Sequence, residues 1–224
     1  PDFDNFKEKG WYKSPDQLSQ QIFLKEFIED PEKNPLETPS GKIELFSKQI
    51  DSFKYVDCVG HPKWYGDHEY LGNIKTYKLH LLSNQPKFKL HSQLDNGHVA
   101  SNEKLDGRAV IEVNKFDAKA RALSENMVVE VFNDRGSCLA AVKISDNIMR
   151  GVVNIPTGAW LDPLKSSGLS CVHGNPNVLT KDVGTSKLAQ GPTAHSCLVE
   201  IKQFNEKVPR INAFKPPKIN APNK

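Results

Sequence analysis

From Thr76 onwards apolar residues recur at every second position, in short runs separated by turn-forming residues. In "TYKLHLLS" Tyr77, Leu79 and Leu81 share one face, the spacing of a half-buried strand. "AVIEVN" (109–114) repeats the pattern. "MVVEVF" and "SCLAAVKIS" flank "NDRG", which predicts a hairpin. "GVVNIP" (151–156) predicts a strand ended by Pro156, and "SCLVEIKQF" (196–204) predicts a last strand. Asn114 is placed to cap a short helix, "KFDAKARAL", with Asp117 in its first turn. About six short strands, one helix and long loops over 76–204 predict a mainly β, barrel-like domain rather than a βαβ repeat.

The pattern before Thr76 is different. "KSPDQLSQQIFLKEFIED" (13–30) predicts a helix. Ser14 is a cap, Pro15 suits the first helical position, and Gln17 completes a capping box. Leu18 with Ile22 and Phe23 with Phe27 are apolar i, i+4 pairs, and Pro31 stops the run. "PEKNPLETPSGK" reads as a connector. Ile43 and Leu45 alternate in "KIELFSKQI", which predicts a short strand. Residues 51–75 are aromatic and aperiodic, and read as a surface wrap with buried rings. The chain thus divides into a helix-plus-connector segment, 1–75, and a β domain, 76–224. The β domain ends in an extended, Pro-rich tail, "FKPPKINAPNK".

Composition narrows the function classes. The chain has 224 residues, 38% hydrophobic and 25% charged, values typical of a soluble globular protein. A net charge of +3, spread without a basic block, does not point to nucleic acid. No apolar run approaches the roughly 18 residues that span a bilayer, so no membrane insertion is expected. A start at Pro1, without Met or a signal-peptide pattern, reads as a fragment or a processed product. Four scattered cysteines (Cys58, Cys138, Cys171, Cys197) read as free thiols. None of the seven histidines forms a metal-binding motif, and "CVGH" with His68 reads as ordinary hydrogen-bonded His. "GTSK" (184–187) lacks the Gly frame of a P-loop, and no G-x-S-x-G elbow occurs. No catalytic residue and no metal ligand is nominated.

Two long loops remain: "SNQPKFKLHSQLDNG" (83–97), after the strand at 76–82, and "CVHGNPNVLTKDVGTSKLAQG" (171–191), before the last strand. Long irregular loops in a compact domain are usually functional or disordered, and these lack the composition of disorder. Both carry Asn and Gln amides, hydroxyls and Gly N–H groups. Amides match the donor and acceptor edge of a purine or pterin, and hydroxyls and N–H groups hold phosphate oxygens. Lys87, Lys89 and Lys181 are candidates to offset phosphate charge. The bland alternative for each loop is a hydrophilic surface loop.

At these loops the chain resembles a known family. "LLSNQPKFKLHSQLDNG" (81–97), "VFNDRGSCLAAVKISDNIMRGVVNIPTGAWLDP" (131–163) and "CVHGNPNVLTKDVGTSKLAQG" (171–191) resemble the C-terminal part of the dimethyl-sulfoxide-reductase family of molybdenum enzymes. The likeness is nearest to the biotin sulfoxide reductase and trimethylamine N-oxide reductase branch. "TPSGKIELFS" (38–47) resembles the segment leading into that last domain, so the likeness runs from about Pro15 to Phe214. It implies a six-stranded double-psi β-barrel with short helices. It also implies a bis(molybdopterin guanine dinucleotide) cofactor carrying molybdenum, with the barrel covering one side of both dinucleotides.

Carried over by position, the resemblance makes Ser83, Asn84, Gln85, His91, Ser92 and Gln93 cofactor-binding residues in the first loop. In the second loop it makes His173, Asn175, Asn177, Thr180, Asp182 and Gln190 cofactor-binding, with His195 just beyond. Three positions depart from the family pattern: His195 stands where Gln is common, Lys89 where Arg is common, and Pro192 where Cys is common. The implied reaction of the full enzyme is reductive removal of oxygen from an S-oxide or N-oxide of the biotin sulfoxide, trimethylamine N-oxide or dimethyl sulfoxide class. The serine that ligates molybdenum in that branch belongs to N-terminal domains, so none is assigned here. The chain alone is expected to be catalytically silent and without cofactor. Its implied partners are the rest of its own enzyme, the oxide substrate and an electron-donor protein. Periplasm and cytoplasm are the two compartments implied, with the periplasm favoured. Two other readings stand beside this one: a free-standing double-psi barrel used only for binding, and a decarboxylase-like barrel. The second lacks the self-processing Gly-Ser site it would need.

Overall fold

The computed structural model describes residues 2–15, 21–66, 68–164 and 170–216. These form two compact units, residues 1–54 with 59–62, and residues 55–58 with 63–224.

The first unit holds three short helices. Helix α1 (Phe3–Lys9) starts where the Asp2 carboxylate accepts the Asn5 N–H at 2.8 Å and stops at Gly10, whose φ of 73° suits a residue without Cβ. Both signals are legible in "PDFDNFKEKG", but the run is too short for its periodicity to stand out. Helix α2 (Lys25–Glu29) is all that is seen of the helix expected over 13–30. Lys13–Pro15 and Gln21–Leu24 are not helical, and Gln17 and Leu18 lie outside the described residues. The reason is physical: α2 buries no residue, and Phe23 remains 85% exposed. A short helix draws most of its stability from packing an apolar face, which this one lacks. The strand expected at Ile43 and Leu45 is also absent. Both side chains are exposed, and the chain turns instead into α3 (Lys48–Ser52), capped by Ser47 Oγ.

The second unit is built on seven strands: β1 (Leu79–Leu82), β2 (Val110–Asn114), β3 (Val128–Phe132), β4 (Ser137–Ser145), β5 (Val152–Asn154), β6 (Ser170–Cys171) and β7 (Leu198–Gln203). Six of them close a ring in the order β2-β5-β1-β7-β3-β4, and β4 returns to β2. The pairs β1–β5 and β2–β4 are parallel; the other ring pairs are antiparallel. This closed six-stranded ring is the double-psi barrel. The two-residue β6 adds a parallel rung outside β4. The period-two pattern fills the ring: Leu79, Leu81, Ile111, Val113, Val129, Val131, Val153, Val199 and Ile201 all point inwards and are buried. Each such side chain contributes roughly 1.5–3 kcal/mol over staying exposed.

Two helices complete the second unit, α4 (His98–Asn102) and α5 (Lys115–Ala120). Asn114 caps α5 by accepting the Phe116 N–H at 3.0 Å. Asp117 turns inwards and accepts the Gly151 N–H at 2.6 Å, tying α5 to the entry of β5. The four cysteines are free thiols, three of them buried. Burial pushes the Cys197 thiol up to about 11, so it stays protonated. The wrap before β1 is less buried than its rings suggested: Trp64 is exposed, and Tyr55, Tyr65 and Tyr70 are half-buried. The tail has no regular structure through Pro216, and 217–224 lie outside the described residues.

Candidate functional site

The two irregular loops both contribute to one groove. The first starts at the end of β1, where the Ser83 N–H donates to His195 Nδ1 at 3.4 Å. The His195 carbonyl in turn lies 2.6 Å from His80 Nε2. Asn84 carries the loop on, its carbonyl accepting the Thr157 N–H at 2.9 Å. Gln85 Nε2 donates to the Lys89 carbonyl at 2.9 Å, which folds the loop on itself. His91 and Leu94 sit at φ 47° and 55°, backbone conformations uncommon for side chains with Cβ.

His91 and Ser92 then form one wall of a groove of about 400 Å³. Thr157, Gly158, Ala159, Trp160 and Leu161 form its floor, and Asn175 and Asn177 form the far wall. Gly158 is required by close approach: its φ is 95°, and a Cβ there would come within 1.9 Å of the His91 carbonyl oxygen. Trp160 Nε1 donates to the Ser92 carbonyl at 2.7 Å, joining floor to wall.

A larger opening of about 630 Å³ lies on the other side of Thr157 and Ala159, which line both. Asn84, Lys87, Lys89, Asp95, Lys104 and Asn154 face it. Asn154 Oδ1 is buried there without a hydrogen-bond partner among the described residues. A buried acceptor left alone costs about 1–3 kcal/mol. A ligand edge carrying N–H groups, such as guanine or a pterin, would satisfy it. The donor set therefore fits the group that the sequence implies: neutral amides and hydroxyls along the groove, an orphaned acceptor in the adjoining opening, and few anionic side chains among the nominated residues.

Of the nominated residues, His91, Ser92, Asn175 and Asn177 meet in the groove, and Asn84 faces the larger opening. Ser83, Gln85, Gln93 and His195 belong to the first loop or its base. Thr180 Oγ1 turns back to the Asn177 carbonyl at 3.5 Å, and Gln190 Nε2 bonds the Ser186 carbonyl at 2.7 Å. Asp182 and Gln190 are exposed, beyond the groove lining. His173 departs most from a ligand contact, since it is fully buried. Its Nδ1–H donates to the Trp160 carbonyl at 2.9 Å, and its Nε2 accepts from Lys104 Nζ at 3.1 Å. Burial, together with the Lys104 charge, holds its pKa below the ordinary value, against the opposing pull of the Trp160 carbonyl, so the ring is neutral. Lys89 and Lys181, read as phosphate counter-charges, are each paired with a carboxylate.

Two anchors were not read from the sequence. Under the first loop Asp95 is wholly buried. Its Oδ1 accepts from Lys89 Nζ at 2.5 Å and Lys104 Nζ at 3.0 Å, and its Oδ2 accepts the Trp160 N–H at 3.1 Å. Burial opposes ionisation, but the two ammonium groups and the N–H outweigh it and hold the carboxylate below its ordinary pKa. Behind the second loop, Arg135 from the β3–β4 turn makes a two-pronged bond to Glu69, at 2.7 and 2.9 Å. Its Nε donates to the Leu179 carbonyl at 2.6 Å, where Asn133 Nδ2 also donates at 2.9 Å. Glu69 also pairs with Lys181 at 3.2 Å and accepts the Leu198 N–H at 2.7 Å. Burial again opposes ionisation of Glu69, and these partners bring it down to about 2. Arg135 lies in the turn that the sequence marked, but nothing in the spacing links Asp95 to Lys104, or Glu69 to Arg135. Among the described residues no group of three or more His, Cys, Asp or Glu side chains could hold a metal ion. Nor is any described helix long and apolar enough to cross a membrane.

Residues 79–198 match the model of a family described as the molydopterin dinucleotide binding domain. The chain is 43% identical to trimethylamine-N-oxide reductase 1 of Escherichia coli O157:H7, over 97% of this chain and 26% of that protein. It is 41% identical to biotin sulfoxide reductase of Cereibacter sphaeroides, over 90% of this chain and 27% of that protein. The chain thus spans about a quarter of the length of these curated relatives. Among solved structures, acetylene hydratase from Pelobacter acetylenicus superposes with a TM-score of 0.62 over 78% of this chain and 25% of its own. At 17% identity that likeness speaks to fold alone.

Proposed function

Because the chain belongs to the molydopterin dinucleotide binding domain family, we propose that it is the cofactor-holding domain of a longer molybdenum reductase. The cofactor in this reading is bis(molybdopterin guanine dinucleotide). The enzyme removes oxygen from S-oxides or N-oxides, as the names of its relatives suggest. When bound, the cofactor supplies the two-electron chemistry; the chain supplies binding and orientation. The barrel domain, 76–224, does the binding, and 1–75 leads into it from the preceding part of the enzyme. The rest of that polypeptide, an oxide substrate and an electron donor are its partners. The periplasm is the favoured compartment.

The observation that carries this reading is the meeting of the two loops. Asn175 and Asn177 face His91 and Ser92 across one groove, though they are far apart in sequence. Neutral amides here discriminate by hydrogen-bond pattern rather than charge. Ser83, Asn84, Gln85 and Gln93 extend the first wall, and Thr180, Asp182 and Gln190 extend the second. His195 sits at the base of the first wall. His173 serves as an anchor, holding the Trp160 carbonyl from inside.

The test is made in the full-length enzyme. Asn175 already caps a turn through the Asn177 N–H at 2.9 Å, so its loss would confuse binding with folding. The Asn177 side chain has no hydrogen bond among the described residues and is exposed. Asn177→Ala is therefore expected to lower bound pterin several-fold while the unfolding temperature stays put. Undiminished pterin content and turnover would overturn the site assignment.

A further inference from the structure

The tail beyond β7 has no regular structure, yet two buried ions that the groove does not use pin it down. Arg108 and Asp162 are only 3% and 6% exposed. Arg108, just before β2, donates through one terminal nitrogen to the Pro209 carbonyl and through the other to the Asp106 carbonyl at 3.2 Å. Its Nε is buried without a partner among the described residues. Asp162 Oδ2 accepts the Asn212 N–H at 2.5 Å and the Ala213 N–H at 3.0 Å. A buried ion needs fixed partners in place of water, and here a stretch without helix or strand supplies them. Between the two pins Ile211 packs on Gly107, where a Cβ would lie 3.0 Å from Ile211 Cδ1.

The pinned segment ends against the groove floor. Phe214 stands edge-on to Trp160 and to His173, its ring centroid 5.2 and 5.0 Å from theirs. The same ring lies 4.5 Å from the buried Lys104 ammonium. Trp160 lines the groove and is otherwise tied to both loops: to Asp95 and Ser92 of the first, and to His173 of the second. Asp162 follows the floor residues Trp160 and Leu161 directly in the chain. The segment thus meets the floor twice, through the backbone at Asp162 and through the ring of Trp160. A half-exposed stretch held at a few points opens locally at little cost, so its closure is free to respond to what the groove holds.

Resting on the reading of the groove as a dinucleotide site, we infer that residues 209–214 are a strap whose closure on Trp160 and the filling of the groove stabilise each other, with Phe214 as the positioning residue that couples them. Coupling between two such events is reciprocal. A ligand that binds better when the strap fixes the floor must therefore hold the strap shut in turn. A strap that only finishes the fold would be indifferent to the ligand.

The experiment is amide hydrogen exchange in the full-length enzyme, once loaded with cofactor and once produced without it. The Asn212 and Ala213 N–H groups are expected to exchange at least about fivefold more slowly in the loaded enzyme, the lower end of typical coupling between sites. The control is the Asn147 N–H, held by Ser145 Oγ at 3.1 Å between β4 and β5, which is expected not to change. Phe214→Ala leaves both pins in place but removes the ring, and is expected to abolish the difference. Phe214→Tyr keeps the ring and is expected to restore it. Strap exchange that is the same in both states, or that slows only in step with Asn147, overturns the inference, as does a difference that survives Phe214→Ala. If the strap is indifferent while Asn177→Ala still lowers bound pterin, the groove stands and the strap's role falls. If Asn177→Ala leaves bound pterin undiminished, the groove reading falls, and this inference with it.

Discussion

The two loops that flank the groove are fastened in opposite ways. The first is held from beneath by Asp95, a carboxylate that solvent does not reach and on which Lys89, Lys104 and Trp160 converge. The second is held from behind by Glu69 and Arg135, whose side chains remain 25% and 29% exposed. The buried clip stakes much on each partner, because an ion stranded in low dielectric loses its water and gains nothing. The half-exposed clip is forgiving, because water can replace a lost partner. One loop is therefore locked and the other latched, although both line the same groove.

The contrast predicts unequal costs. Asp95→Ala strands two buried ammonium groups and is expected to cost about 3–5 kcal/mol. This would be read as a lower unfolding temperature for the transition that includes the barrel. Arg135→Lys keeps the charge but loses the two-pronged bond to Glu69, and is expected to cost roughly 1 kcal/mol. Equal costs for the two would erase the distinction between lock and latch.

Acid sharpens it further. His173 has a depressed folded pKa, so below its ordinary value of 6.5 the opened state takes up a proton that the folded state refuses. Stability linked to the Asp95 clip, which His173 joins from the second loop through Lys104 and the Trp160 carbonyl, thus falls as pH drops below 6.5. Asp95, also depressed, adds its loss only below its ordinary value of 3.8. Glu69 contributes fully above its ordinary value of 4.5, and that contribution is lost as pH falls to about 2. Hydrogen exchange at pH 5 is therefore expected to show residues 89–95 opening more than at pH 7, after correction for intrinsic rates. Residues 179–181 are expected to stay as protected as before. Parallel loosening of both would contradict the assignment. The smallest effect on stability is expected from Asn177→Ala, whose side chain has no hydrogen bond among the described residues and whose consequence falls on the cofactor.

Much of the barrel was legible because its determinants are local. The period of two in β1, β2 and β3 survives as alternating burial, and the β3–β4 hairpin turns at the residues that mark it. Asn114 caps α5 because an Asn before a helix meets its first N–H groups wherever the helix ends up. The irregularity of both loops was visible too, as backbone that bonds neither as helix nor as strand. The long helix over 13–30 failed for the converse reason. Its apolar positions are correctly spaced, but spacing does not supply a surface to pack against, and Phe23 finds none.

The strands, the hairpin, the cap and the two loops follow from local sequence, since each depends on residues within a few positions of one another. The closed order of the ring, the groove, the enclosure of His173 and the partners of Asp95 were decided only by the tertiary structure. Lys104 meets His173 across 69 positions and Arg135 meets Glu69 across 66. Which charges are buried, and with whom, depends on where the folded chain excludes water, and no local pattern records that.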